Sequence, residues 1–154
     1  MLGMTTDTTG TTDSNDSNDS NDTRPTTDET PAGAPRATWA GVSFDCADPA
    51  ALSRFWGEAL SLSALHTSDD FILLGSAGSP GLGFCRIDGY EPPTWPTPER
   101  EKQAHLEIGV EDLDAGQARM LALGATEPPS QPSPDRWRVL LDPAGHPFCL
   151  FVQA

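Results

Sequence analysis

The chain carries a copy of itself, displaced by 64 positions. Gly81-Leu82-Gly83-Phe84-Cys85 reads against Gly145-His146-Pro147-Phe148-Cys149, so that Gly, Phe and Cys recur together. The same offset lays Val42, Phe44, Cys46 and Asp48 on Leu106, Ile108, Val110 and Asp112, keeping both an apolar alternation and the acidic residue after it. Two matches at one offset imply a duplicated supersecondary module, because the period is too long for a solenoid repeat.

Each copy opens in the same way. Val42, Phe44 and Cys46 alternate with Gly41, Ser43 and Asp45, as a half-buried strand requires. Asp48 then predicts an N-cap, Pro49 suits the first helical position, and Leu52, Phe55, Trp56 and Leu60 recur at helical spacing. Strands are expected over 63–67, 71–75 and 82–87, followed by a Pro-rich linker over 88–102. The second copy predicts a strand over 104–110 and a helix capped by Asp112 and closed by Gly124, with Leu113, Ala118, Met120, Leu121 and Leu123 as its apolar residues. A stub at Thr126 and Glu127, a strand over 137–141, the turn Asp142-Pro143-Ala144-Gly145 and a last strand over 148–152 complete it. The expected fold is α+β: two tandem βαβββ modules, over about 38–90 and 103–154, whose mixed sheet curls into a cup.

Residues 1–36 do not join this domain. Thr, Asp, Ser and Asn dominate them, with Ser-Asn-Asp repeated three times from Ser14, and such a composition predicts an acidic disordered tail preceding one domain over 37–154. The tail carries a net charge of −5 and the rest −9, within a total of −14. Phosphate binding needs clustered Lys and Arg, so nucleic acid and anionic membrane surfaces are excluded as partners. With no long apolar run and no signal-peptide pattern, a cytoplasmic location is expected. Cys46, Cys85 and Cys149 are too few and too far apart for a disulfide framework, and their thiols are expected to be reduced.

Asp45-Cys46-Ala47-Asp48-Pro49 followed by Phe55-Trp56, the run Ala104-His105-Leu106-Glu107-Ile108-Gly109-Val110, and Asp142-Pro143-Ala144-Gly145-His146-Pro147-Phe148 together resemble the vicinal oxygen chelate superfamily. More narrowly, the chain resembles the glyoxalase-like domain that also includes bleomycin-resistance-type binding proteins. The resemblance covers residues 38–154 and implies a small-molecule ligand and a homodimer. It also implies a metal site at four strand positions, usually His or Gln, Glu, His and Glu. Those positions fall here on Gly41, Cys85, His105 and Cys149, and only His105 matches.

Strand alternation independently turns Asp45, Cys85, His105, Glu107, Cys149 and Phe151 toward the cup. Gly41 offers no ligand atom and both family carboxylates are missing, which opposes a hard, oxygen-rich metal site. His105, Cys85 and Cys149 leave a soft set that suits zinc or another soft divalent metal, whereas the thiols taken alone read as packing residues. His105 reads either as an interior His bonded to Glu107 or as a general acid or base. Trp39, Trp95, Trp137 and Phe151 offer flat apolar surface to a ligand, while His146 reads as a surface-loop residue and His66 as exposed.

Three functions stay open at this point. The first is a binding protein for a small, partly aromatic molecule, with Trp39, Asp45, Cys85, His105, Glu107, Cys149 and Phe151 around it and no usual metal site. The second is a lyase, isomerase or dioxygenase type of enzyme working through His105, with Glu107 and, if a metal takes part, Cys85 and Cys149. The third is a redox or structural role resting on exposed thiols.

Overall fold

The computed structural model of the chain describes residues 37–153. The tail expected over 1–36 lies outside them.

The first module runs β1 (Gly41–Cys46), α1 (Pro49–Leu60), β2 (Ser63–Thr67), β3 (Phe71–Gly75) and β4 (Gly81–Arg86). Asp48 starts α1 as the sequence predicts: one carboxylate oxygen accepts the N–H groups of Ala50 and Ala51, each at 3.0 Å, which otherwise have no helical partner. The second module runs β5 (Leu106–Val110), α2 (Leu113–Leu123), β6 (Trp137–Leu141) and β7 (Pro147–Val152). Asp112 caps α2 through the Ala115 N–H at 2.8 Å, and Gly124 closes it at φ 115°, a conformation that favours glycine.

The strands form a four-stranded sheet in the order β1-β4-β3-β2 and a three-stranded sheet in the order β5-β7-β6. In each, the first strand of the module runs parallel to its last, and the remaining pairs are antiparallel. Val42 lies opposite Leu82, whereas Leu106 lies opposite Phe148, so the second sheet is two residues out of step with the 64-residue offset. A shift of two leaves every side chain on its original face. It also places Cys149 opposite Glu107, as Cys85 lies opposite Asp45.

The predicted stub at Thr126 is a single bridge to Leu141 rather than a strand. Pro128, Pro129, Pro132 and Pro134 follow it, and proline cannot donate to a ladder. The edge of β6 is met instead by the Gln131 amide, which donates to the Val139 carbonyl at 2.7 Å and accepts its N–H at 2.9 Å.

One core serves both modules. Trp56 of α1 meets Phe148 of β7 edge to face, with ring centroids 5.1 Å apart, and Leu52, Phe84, Leu140 and Leu150 are buried around them. On α2 only Leu113 and Met120 are buried, with Leu123 partly so. Leu121, one of the helix's apolar residues, is exposed because it stands about 100° round the helix from Met120.

Candidate functional site

On β5, Leu106, Ile108 and Val110 pack into the core, so His105 and Glu107 fall on the other face. Two residues apart on that face, they meet: His105 Nε2 lies 2.7 Å from Glu107 Oε1. Sheet register supplies the rest of the surface. Cys149 lies opposite Glu107 and Val139, and Phe151 lies opposite Gly109 and Trp137. A cleft of about 380 Å3 opens over this face, lined by His105, Glu107, Arg136, Trp137, Cys149 and Phe151. A smaller recess of about 110 Å3 adjoins it at His105, Trp137 and Cys149, and is closed by Trp95 and Lys102 from the linker.

The ligating atoms of His105, Glu107 and Cys149 all lie within 4.8 Å of one another. Burial pushes the Cys149 thiol up to about 11, the Glu107 carboxylate adds to that rise, and the Lys102 ammonium opposes it. Cys149 is therefore a neutral thiol at pH 7 and a poor nucleophile. Cys46, fully buried behind β1, is likewise pushed up to about 11, chiefly by burial. These two buried thiols weigh against a function built on exposed cysteines.

The first module contributes differently. Asp45 lies opposite Cys85, and Cys85 opposite Phe71, on a face shared with Ser43, Leu73, Gly41, Gly81 and Gly83. A Cβ at Gly41 would sit 2.3 Å from the Gly81 carbonyl oxygen, and one at Gly83 would meet Ser43 Oγ at 2.4 Å. Of the residues predicted to surround a ligand, the structure thus brings together His105, Glu107, Cys149 and Phe151. Asp45 and Cys85 stand outside the cleft, and Trp39 is 75% exposed, its indole N–H donating to the Gly41 carbonyl at 3.0 Å.

Residues present at the four family positions do not fit the usual metal. Gly41 has no donor and no room to acquire one, and Cys85 lies outside the group that His105 and Cys149 form. The compact set His105, Glu107 and Cys149 is a different arrangement, drawn from one module, whose nitrogen, oxygen and sulfur donors suit zinc in type.

Lys102 and Arg136 border the site without having been anticipated from sequence, although Lys102 stands out as the sole lysine among 154 residues. His146 also departs from expectation. Its side chain is 13% exposed, with Nδ1 3.0 Å from the buried Asp142 carboxylate and Nε2 3.0 Å from the Tyr90 hydroxyl. Asp142 further accepts the Trp56 indole N–H at 3.1 Å and the backbone N–H groups of Ala144 and His146 at 2.9 Å each. This network ties the β6–β7 turn to α1 and the linker. His66 is exposed, as expected.

A family model described as a glyoxalase-like domain matches residues 41–151. The chain belongs to the glyoxalase-like domain family. Solved structures agree on the fold. A protein of Agrobacterium tumefaciens, determined in solution, is 19% identical with a TM-score of 0.58, over 77% of this chain and 99% of that one. The trypanothione-dependent glyoxalase I of Leishmania major is 20% identical with a TM-score of 0.56, over 76% and 87% respectively. A fosfomycin resistance protein of Mesorhizobium loti is 15% identical with a TM-score of 0.55, over 74% and 90%. No curated protein matches the chain. At these identities the likeness extends to the glyoxalase-like fold, and the chemistry must be argued from the cleft itself.

Proposed function

We propose that this glyoxalase-like domain binds a small, flat, largely apolar molecule in the cleft beside His105, without the four-ligand metal site of its relatives. The observation that carries this reading is the composition of the cleft: Trp137 and Phe151 supply aromatic surface, and His105, Glu107 and Arg136 supply polar groups. A few polar groups set in an apolar wall is the usual make-up of a small-molecule site, and about 380 Å3 falls within the range of such sites. Aromatic walls favour planar ligands, through offset or edge-on ring contacts worth ~1 kcal/mol beyond area burial.

The His105–Glu107 pair would orient the ligand. A carboxylate can only accept, so at Nε2 the ring donates and its Nδ1 is free to accept a ligand N–H or O–H. Thermal-shift screening of planar compounds tests the reading, followed by calorimetry on Trp137→Ala. Binding that weakens at least tenfold in that variant supports it; retention of full affinity places the ligand elsewhere.

A second reading is favoured by the three converging donor atoms. His105, Glu107 and Cys149 would hold a soft divalent ion with a fourth position open, and such an ion supplies Lewis-acid polarisation of a carbonyl oxygen. Holding it would require the Cys149 thiol to lose its proton and the His105–Glu107 hydrogen bond to open. Metal analysis of untagged protein purified under reducing conditions separates the readings. Near-stoichiometric zinc that disappears in Cys149→Ala supports the second.

A further inference from the structure

Resting on the reading that the cleft takes small planar molecules, we infer that its ligand class is the aromatic monocarboxylate, a flat ring bearing one acid group, with the ring on Trp137 and Phe151 and the carboxylate held by Lys102 and Arg136. Cations are few in this domain, and most are committed. Residues 37–154 carry a net charge of −9 and only seven basic side chains. Arg86, Arg100, Arg119 and Arg138 spend their guanidinium groups on backbone carbonyls or carboxylates. Arg54 lines a separate hollow beside Glu58. The remaining two, Lys102 and Arg136, line the adjoining recesses around His105, and among the described residues neither pairs with a carboxylate.

The negative charge nearby lies to one side. Glu107 lines the larger recess, where it lies 2.7 Å from His105, and no carboxylate lines the smaller one among the described residues. Glu101 borders only the open depression on the linker side of His105. The smaller recess therefore holds Lys102 and no carboxylate, and the larger sets Arg136 against Glu107, in a domain whose overall charge would otherwise repel an anion. At physiological ionic strength that overall field is screened beyond about 8 Å, so the two local cations decide.

Lys102 is also held in place. Its ammonium lies 4.3 Å from the centre of the Trp95 ring, a cation–π contact that keeps the charge at the wall of the recess. Arg136, which lines the cleft with Trp137, offers a planar fork suited to a carboxylate. Cations at the rim and aromatic faces within match a ligand that is apolar over its body and acidic at one end.

Isothermal titration calorimetry on the full chain with 1-naphthylacetate, 1-naphthylacetamide and 1-naphthylethylamine tests this, because the three differ in charge and little in shape. We expect the acid to bind at least tenfold more tightly than the amide and the amine more weakly than both. The acid's advantage over the amide should shrink several-fold in Lys102→Gln and in Arg136→Gln, and with added NaCl. Equal affinity for acid and amide, or preference for the amine, would overturn the inference and leave the small-molecule reading standing. If none of the three binds, both fall.

Discussion

Asp142→Ala offers the sharpest test of how the two modules are held together. The carboxylate is 4% exposed and accepts four donors: the Trp56 indole, His146 Nδ1, and the backbone N–H groups of Ala144 and His146. Trp56 is 1% exposed, so water cannot replace the lost acceptor at its indole. Hydrogen bonds to a charged group contribute about 1.5–3 kcal/mol each, and orphaning a partner in a buried pair costs about 3–5 kcal/mol in all. With the two turn amides free to find water, the expected loss is about 4 kcal/mol. For a domain near 118 residues this lowers Tm by roughly 15 °C.

Asp142→Asn, which keeps one oxygen acceptor, should lose about half as much. Urea denaturation followed by circular dichroism at 222 nm measures both, and Trp56→Phe closes a double-mutant cycle with a coupling of about 1–2 kcal/mol. A loss under about 1 kcal/mol in Asp142→Ala, or no coupling to Trp56, would refute the claim that this carboxylate fastens the modules.

Gly41→His should create no metal site and should destabilise the domain by more than about 2 kcal/mol, measured by metal titration and urea denaturation, because its Cβ would meet the Gly81 carbonyl at 2.3 Å. Cys46 and Cys149 are both raised to about 11 from 9.0. The folded state therefore holds protons that the unfolded state gives up, so their contribution is complete below pH 9 and is lost as pH rises through 11. Thermal melts should show stability falling across that window, less steeply in Cys149→Ala, and thiol titration at pH 7 should find both residues slow until urea is added. Gln131→Ala should cost about 1–2 kcal/mol in urea denaturation and speed amide exchange at Val139, since its side chain makes both edge hydrogen bonds there.

Periodicity and caps make most of the fold legible in the sequence. Asp48, Asp112 and Gly124 sit at the helix ends where their chemistry puts them, and the alternation around Val42 and Leu106 gives the inward faces of β1 and β5. What stayed hidden was set by contacts distant in sequence. The repeat of 64 residues does not reveal that the second sheet is paired two residues out of step, because each strand reads the same whatever its partner's position. Gln131 could not be recognised as a substitute for a missing strand, since nothing local marks an amide that bonds eight residues away. His146 lies in a turn whose sequence is that of any exposed loop; its burial comes from Phe44 and Tyr90, more than fifty residues distant. In the site, His105, Glu107 and Cys149 were legible from alternation, whereas Lys102 and Arg136 were not, because a loop cation's position depends on how the loop folds back.

Lys102 also makes the cleft chemically addressable. Apart from the α-amino group, it is the one primary amine among the 154 residues, and it lies against the Trp95 ring at the wall of the recess. An amine-selective reagent therefore has a single side-chain target, and that target borders the recess beside His105. Intact-mass measurement of acylation, with and without a trial compound, reads occupancy directly: a compound seated there should shield Lys102 and leave the α-amino group to react as before. The scarcity of lysine in this acidic chain turns its own surface into a footprint for whatever the domain holds.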